Sequence, residues 1–244
     1  MDTHQSKVPH DWRELAREIG IIVVGVLIAL FFGQLVDSAQ WASKVRAAER
    51  AMRWELLWDD GPQVYQRAAM HPCLMQRLNE IRAAVQRDEP RQQIDALTAS
   101  YTLDWLTYDS VAQQQALASD VSSHMPQQEM EDFATAYSQI PVMDRIAERE
   151  DYDIGQLHGF NRSGGELTST EKEKLLSTVA ALRTDDSEMW KAAKWIMPNL
   201  RSLGSLDPAR TANFMKSARE QYGACVKDLP ADFPKGIPWG PEPS

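Results

Sequence analysis

Cys73 and Cys225 are the only cysteines among the 244 residues. In an oxidising compartment such a pair bridges; in a reducing cytosol it stays as two buried thiols. The two lie near opposite ends of the polar part of the chain, so a bridge ties its first helices to its last. Closing so long a loop is worth roughly 4–5 kcal/mol in the chain-entropy account. A Cys73–Cys225 disulfide is therefore expected if the polar part is exported.

The other reactive residue types form no recognisable constellation. His4, His10, His71, His124 and His158 show no His-x3-His spacing. His71 and Cys73 stand two apart, as a metal site can begin, but no second such pair follows. His71 accordingly reads as a surface histidine. The run from Glu148 to Asp153 is rich in carboxylates but lacks the alternating acids and central glycine of a calcium loop. It reads as a solvated helix end. Ser163-Gly164-Gly165 is followed by no Gly-Lys-Ser/Thr, and no His-Glu-x-x-His or Gly-x-Ser-x-Gly occurs. No catalytic, cofactor-binding or metal-binding residue is assigned, and non-enzymatic roles are favoured over a membrane-tethered enzyme. Tyr101, Trp105, Leu106 and Tyr108 are the densest aromatic patch. Aromatics so spaced form a core, or Tyr101, Trp105 and Tyr108 line an apolar pocket between helices. Asp and Glu outnumber Lys and Arg by 35 to 26, a net charge of −9. That balance argues against nucleic acid as a partner, because phosphate binding needs a cationic footprint.

The element that positions everything else is Ile19 to Val36, IGIIVVGVLIALFFGQLV, which contains no ionised side chain. As a helix of about 18 residues it is roughly 27 Å long, close to the roughly 30 Å hydrocarbon core of a bilayer. Its apolar core is longer than that of a secretory signal, and Val36-Asp37-Ser38 makes a poor cleavage site, so an uncleaved anchor is the reading. Trp12 and Trp41 flank it, as residues of a membrane interface do. Gly25, Ala29 and Gly33 recur every four residues, a stripe that lets a second copy approach closely. Lys and Arg are near-balanced at the two ends. The short leading tail, the long following domain and the even cysteine count favour a cytoplasmic tail and a periplasmic body.

Glu18-Ile19-Gly20 with IIVVGVLIAL, a polar exit and a tryptophan resembles the opening of an uncharacterised family of bacterial single-pass membrane proteins. The likeness covers residues 18–41, with an echo at Trp105-Leu106-Thr107-Tyr108-Asp109-Ser110 and Tyr137. It implies a membrane location and an α-helical body. It brings no catalytic residues.

The organisation expected is a tail over 1–18, a membrane helix over 19–36, a helical domain over 37–228 and a Pro-rich tail over 229–244. Residues 37–60 form a stalk helix that Gly61-Pro62 ends. Pro72 kinks or splits the next helix and Pro141 bends a later one. Residues 155–166 read as a surface loop. Thr170 with Glu173 opens a helix through a capping box. Asp185-Asp186-Ser187 and Asp207-Pro208 start two more. Sustained alternation is absent, so the body is all-α, an irregular bundle of about six helices. The role expected is binding or scaffolding with a membrane or periplasmic partner. The alternative is a sensor-like ligand-binding module that lacks its own output domain.

Overall fold

The structure, a computed structural model, describes residues 12–104, 107–160, 165–230 and 233, without the side chain of Glu14. Trp105, most of the leading tail, residues 161–164 and nearly all of the Pro-rich tail lie outside the described residues. The described chain is helical, with no strand among the described residues. Contacts divide it into two units, one ending at Ala47 and one beginning at Ala48.

The first unit carries most of α1 (Trp12–Trp54). Its apolar side chains from Ile19 to Val36 are about half to two-thirds exposed, with Ile21 at 64% and Phe32 at 61%. Each flanking tryptophan has a cation over its ring. The Arg13 guanidinium lies 5.9 Å from the Trp12 centroid, and Lys44 Nζ lies 4.3 Å from that of Trp41. A Cβ added at Gly25 or Gly33 would meet no atom within 4 Å.

In the second unit Gly61-Pro62 does not end the helix. A π-helical stretch, Glu55–Asp60, leads straight into α2 (Gly61–Gln86), and Gly61 keeps helical angles of −59° and −45°. Its N–H donates to the Leu56 carbonyl five residues back. Such a widened turn accommodates Pro62, which has no N–H for the ordinary i→i−4 ladder. Gly61 is required there for space. A Cβ would fall 2.4 Å from Leu206 Cδ2 and 2.7 Å from the Leu56 carbonyl oxygen. Gly61→Ala is expected to destabilise the body by about 1–3 kcal/mol, the usual range for overpacking. Denaturant titration of the two proteins would show this, and an unchanged midpoint would remove the steric argument.

Pro72 sits inside α2 without splitting it. After a turn with Asp88 at φ 53° come α3 (Arg91–Ala99), irregular chain over 100–104 and 107–110, and α4 (Val111–Ala118). A short 3₁₀ turn, Val121–His124, precedes α5 (Gln127–Tyr137). Pro141 does not bend that helix. It lies in the first turn of a new one, α6 (Ile140–Gly159), where its missing N–H is needed least. Gly155, His158 and Gly159 are therefore helical, not loop.

The long α7 (Ser169–Leu203) begins with a capping box two residues earlier than expected. Thr168 Oγ1 accepts from Glu171 N at 3.2 Å, and Glu171 Oε2 accepts from Thr168 N at 2.8 Å. The sequence offers the same chemistry at both registers. Asp185-Asp186-Ser187 starts no helix, because α7 passes through it. Asp207 does cap α8 (Pro208–Tyr222), its carboxylate accepting from Arg210 N at 2.7 Å. A 3₁₀ turn, Gly223–Cys225, follows.

Helix α2 is the centre of this unit, packed along α7 and also against α8 and α3, while α6 and α5 lie on α7. Leu74, Leu78, Ile81 and Val85 of α2 are buried against Leu175, Val179 and Leu182 of α7 and Met215 and Ala218 of α8. The sulfurs of Cys73 and Cys225 stand at bonding distance, 2.04 Å, across 152 residues of sequence. The start of the tail is packed on the body. Leu229 N–H donates to the Tyr65 hydroxyl at 3.0 Å, and Phe233 is fully buried.

Candidate functional site

The most concentrated chemistry is a charge cluster inside the body, where α2, α6 and α7 meet. Arg67 and His71 are four residues apart on α2 and so share one face. Helix α6 contributes Glu150 and α7 contributes Asp186. All four are buried, with Asp186 at 0% and Arg67 at 2% exposure. The Arg67 guanidinium bridges the two acids, pairing Nη2 with Glu150 Oε1 and Nη1 with Asp186 Oδ1 at 2.6 Å. His71 Nδ1 lies 2.6 Å from Asp186 Oδ2, and the imidazole stacks on Trp190 with centroids 4.8 Å apart. Lys194 Nζ covers the same indole at 4.0 Å. Nearer the surface, Arg149 Nε donates to Asp185 Oδ1 at 2.8 Å and its Nη2 reaches Glu188 at 2.5 Å.

The two acids divide the available charge unequally. Burial opposes ionisation of Asp186, but Arg67 and His71 outweigh it and hold the carboxyl below its usual range. Glu150 is paired with Arg67 alone. Burial pushes it up to about 7 against the pull of Arg67, and Asp186 adds to the rise. Arg67 is likewise buried, yet Glu150 and Asp186 more than restore its charge and raise its pKa. Arg67 Nε and the Tyr101 hydroxyl are buried with no hydrogen-bond partner. Burial raises the Tyr101 phenol well above its ordinary value.

These positions revise several readings. His71 is buried, not a surface residue. Glu150 turns inward from the middle of α6, so the carboxylate run is no solvated helix end. Asp185 and Asp186 find partners on other helices instead of capping their own. Among the described residues no group of three or more metal-ligating side chains comes together.

A second set of acids surrounds the π-helical stretch. Glu55 Oε1 accepts from the Tyr137 hydroxyl at 2.7 Å, and Oε2 accepts from Ala112 N at 2.9 Å. That second bond serves the N-terminus of α4, whose own flanking Ser110 gives no side-chain cap. Asp60 Oδ1 accepts from Asp109 N at 3.1 Å, and Asp144 Oδ1 accepts from Tyr108 N at 3.2 Å. Two carboxylates, Asp60 and Asp144, thus satisfy backbone N–H groups of the irregular aromatic segment, and Glu55 serves the start of α4.

Asp60 is fully buried and its Oδ2 has no partner. Burial pushes it up to about 8 from an ordinary 3.8. A carboxyl raised in the folded state stabilises most below its unfolded value, and that contribution disappears as pH rises through the folded value. The wild-type protein is therefore expected to lose stability between pH 6 and 9. Asp60→Asn, which cannot ionise, should lose less. Denaturant midpoints of both proteins at the two pH values test this, and parallel losses would exonerate Asp60.

Tyr101 and Tyr108 are buried, at 0% and 4% exposure, as core aromatics are. A cavity of about 30 Å³, the room of a single water, is lined by Arg67, Glu150, Asp104, Asp151, Leu103 and Ile154. A larger open groove of about 650 Å³ lies elsewhere, over α2 and α3, with Met75, Ala83 and Leu97 on its apolar floor. Tyr101 and Tyr108 line neither. The sequence missed Arg67, Glu150 and Asp186 because each is an ordinary surface residue type until three helices meet. Their one available signal was the Arg67–His71 spacing on a buried helix. No family model, no curated protein and no solved structure matches the chain.

Proposed function

We propose that the chain is a single-pass bacterial inner-membrane protein whose helical body lies in the periplasm and serves binding or assembly without catalysis. The observation that carries the membrane reading is the row of apolar side chains from Ile19 to Val36, exposed to the same degree all along. In water that surface is costly; in a bilayer it needs no other partner. The cation-covered indoles of Trp12 and Trp41 support an interfacial position at either end. The Cys73–Cys225 bridge supports an oxidising compartment for the body. The resemblance of residues 18–41 to a bacterial single-pass family points the same way.

The non-enzymatic reading rests on how the reactive groups are used. Arg67, Glu150, Asp186 and His71 satisfy one another between three helices, as groups that fix helix packing do. Glu55, Asp60 and Asp144 are engaged by backbone and tyrosine donors. The ligand-binding alternative draws on one feature, the groove over α2 and α3, whose size suits a small molecule.

Two measurements test placement. The protein is expected to stay with the membrane fraction through an alkaline carbonate wash. In bacterial cells producing the full chain, a mass-shifting thiol reagent should modify Cys73 and Cys225 only after reduction. Release by carbonate would end the membrane reading. Labelling without reductant, once the cells are opened, would place the body in the cytosol.

A further inference from the structure

We propose that the small cavity beside Arg67 binds a short amino alcohol, whose hydroxyl oxygen accepts from Arg67 Nε and whose ammonium group pairs with Asp104 and Asp151. The floor of the cavity carries the argument. The Arg67 side chain is 2% exposed, and two of its nitrogens are engaged, Nη1 by Asp186 and Nη2 by Glu150. Nε is buried and has no hydrogen-bond partner among the described residues. A planar guanidinium holds its donors in a fixed fork, with Nε–H and Nη2 along one edge. The Nε–H therefore points to the side on which Glu150 lies. Arg67 and Glu150 both line the cavity, so the donor that remains is directed toward it. A buried donor with no acceptor is costly. This floor calls for an oxygen.

Volume and the remaining walls narrow the class. About 30 Å³ holds one heavy atom of the size of a water, so only the head of a ligand enters. Leu103, Ala147 and Ile154 offer apolar contact to a short carbon stem. Asp104 and Asp151 also line the cavity, and both are exposed, which places them at its mouth. Asp104 accepts from Ser217 Oγ at 3.3 Å. Neither acid has a cationic partner among the described residues.

Simple ions fit poorly. An anion would satisfy Arg67 Nε but would lie among the carboxylates of Asp104, Glu150 and Asp151. A cation at the floor would face the Arg67 donor, and among the described residues no three metal-ligating side chains come together. What fits both ends is an uncharged oxygen acceptor on a short stem that ends in a cation. A hydroxyl with an ammonium group is the smallest such pair. Water would serve Arg67 alone and leave the mouth to solvent. The site lies within the body, so it is independent of the membrane reading, and its failure would leave that reading untouched.

The test is methyl NMR of the full chain in detergent micelles, with isotope-labelled alanine and isoleucine methyls, titrated with ethanolamine and with propanolamine. The Ala147 and Ile154 methyls should shift and saturate, with dissociation constants in the millimolar range. Ethylamine keeps the cation and lacks the oxygen. It should bind about tenfold more weakly, the usual effect of losing one hydrogen bond to a charged donor. Asp104→Asn combined with Asp151→Asn changes two exposed positions and leaves Arg67 and its partners in place. That variant should bind ethanolamine about fivefold more weakly, as expected for exposed ion pairs. No saturable shift at Ala147 and Ile154 with either amino alcohol would mean that the floor takes water alone, and it overturns the proposal. Ethylamine binding as tightly as ethanolamine overturns it as well, because Arg67 Nε would then contribute nothing. Undiminished binding by the double variant removes the role of the two acids and overturns the ligand class.

Discussion

Arg67→Met is expected to destabilise the body by about 3–5 kcal/mol, the usual result of breaking a buried pair from one side. The methionine fills much of the same space, so the loss comes from charge and not from a cavity. Glu150 and Asp186 would remain buried without their shared guanidinium. Replacing all three charges, Arg67→Met with Glu150→Met and Asp186→Leu, should recover a large part of the loss. Apolar side chains of similar volume carry no desolvation penalty, and such exchanges are often neutral or stabilising. Chemical denaturation of the wild type, the single variant and the triple variant in micelles decides it. A single variant as stable as the wild type would mean that the cluster is solvated in solution.

Reduction of the Cys73–Cys225 bridge has the second large effect. Its loop of 152 residues corresponds to about 5 kcal/mol of denatured-state entropy in the chain-entropy account, and measured losses for native bridges run about 2–5 kcal/mol. The bridge fastens the middle of α2 to the turn after α8. The segment beyond that turn holds Leu229 against Tyr65 and buries Phe233. Reduction, or Cys225→Ser, should lower the denaturant midpoint and free this segment first. The check is proteolysis near Val226 with and without reductant. Equal midpoints in the two states would show that the terminal segment is held by packing alone.

Much of the helical framework was readable because its signals are local. The apolar run of Ile19–Val36, the Asp207-Pro208 cap and the spacing of Leu74, Leu78, Ile81 and Val85 each need only a few neighbouring residues to be understood. Errors arose where a local signal competed with a distant partner. Gly61-Pro62 has the form of a helix end, but a wider turn and the contact of Gly61 with Leu206 carry the helix on. Asp185-Asp186-Ser187 has the form of a cap, but Arg149 on α6 and Arg67 on α2 claim the two acids. The capping box was identified by type and misplaced by two residues, because Thr168-x-x-Glu171 and Thr170-x-x-Glu173 are equivalent on local grounds.

The sequence by itself determined the helical class, the apolar anchor-like segment with its flanking tryptophans, the acidic balance and the choice of cysteine partners, of which there was only one. Only the tertiary structure decided which charges are inside. Periodicity distinguishes apolar from polar faces, and a charged residue that will be neutralised by another helix has the same letter as one facing water. Arg67, Glu150 and Asp186 lie 83 and 119 residues apart along the chain, counted from Arg67. Nothing local couples them. The folding of α2 against α6 and α7 brings them together as one buried charge cluster.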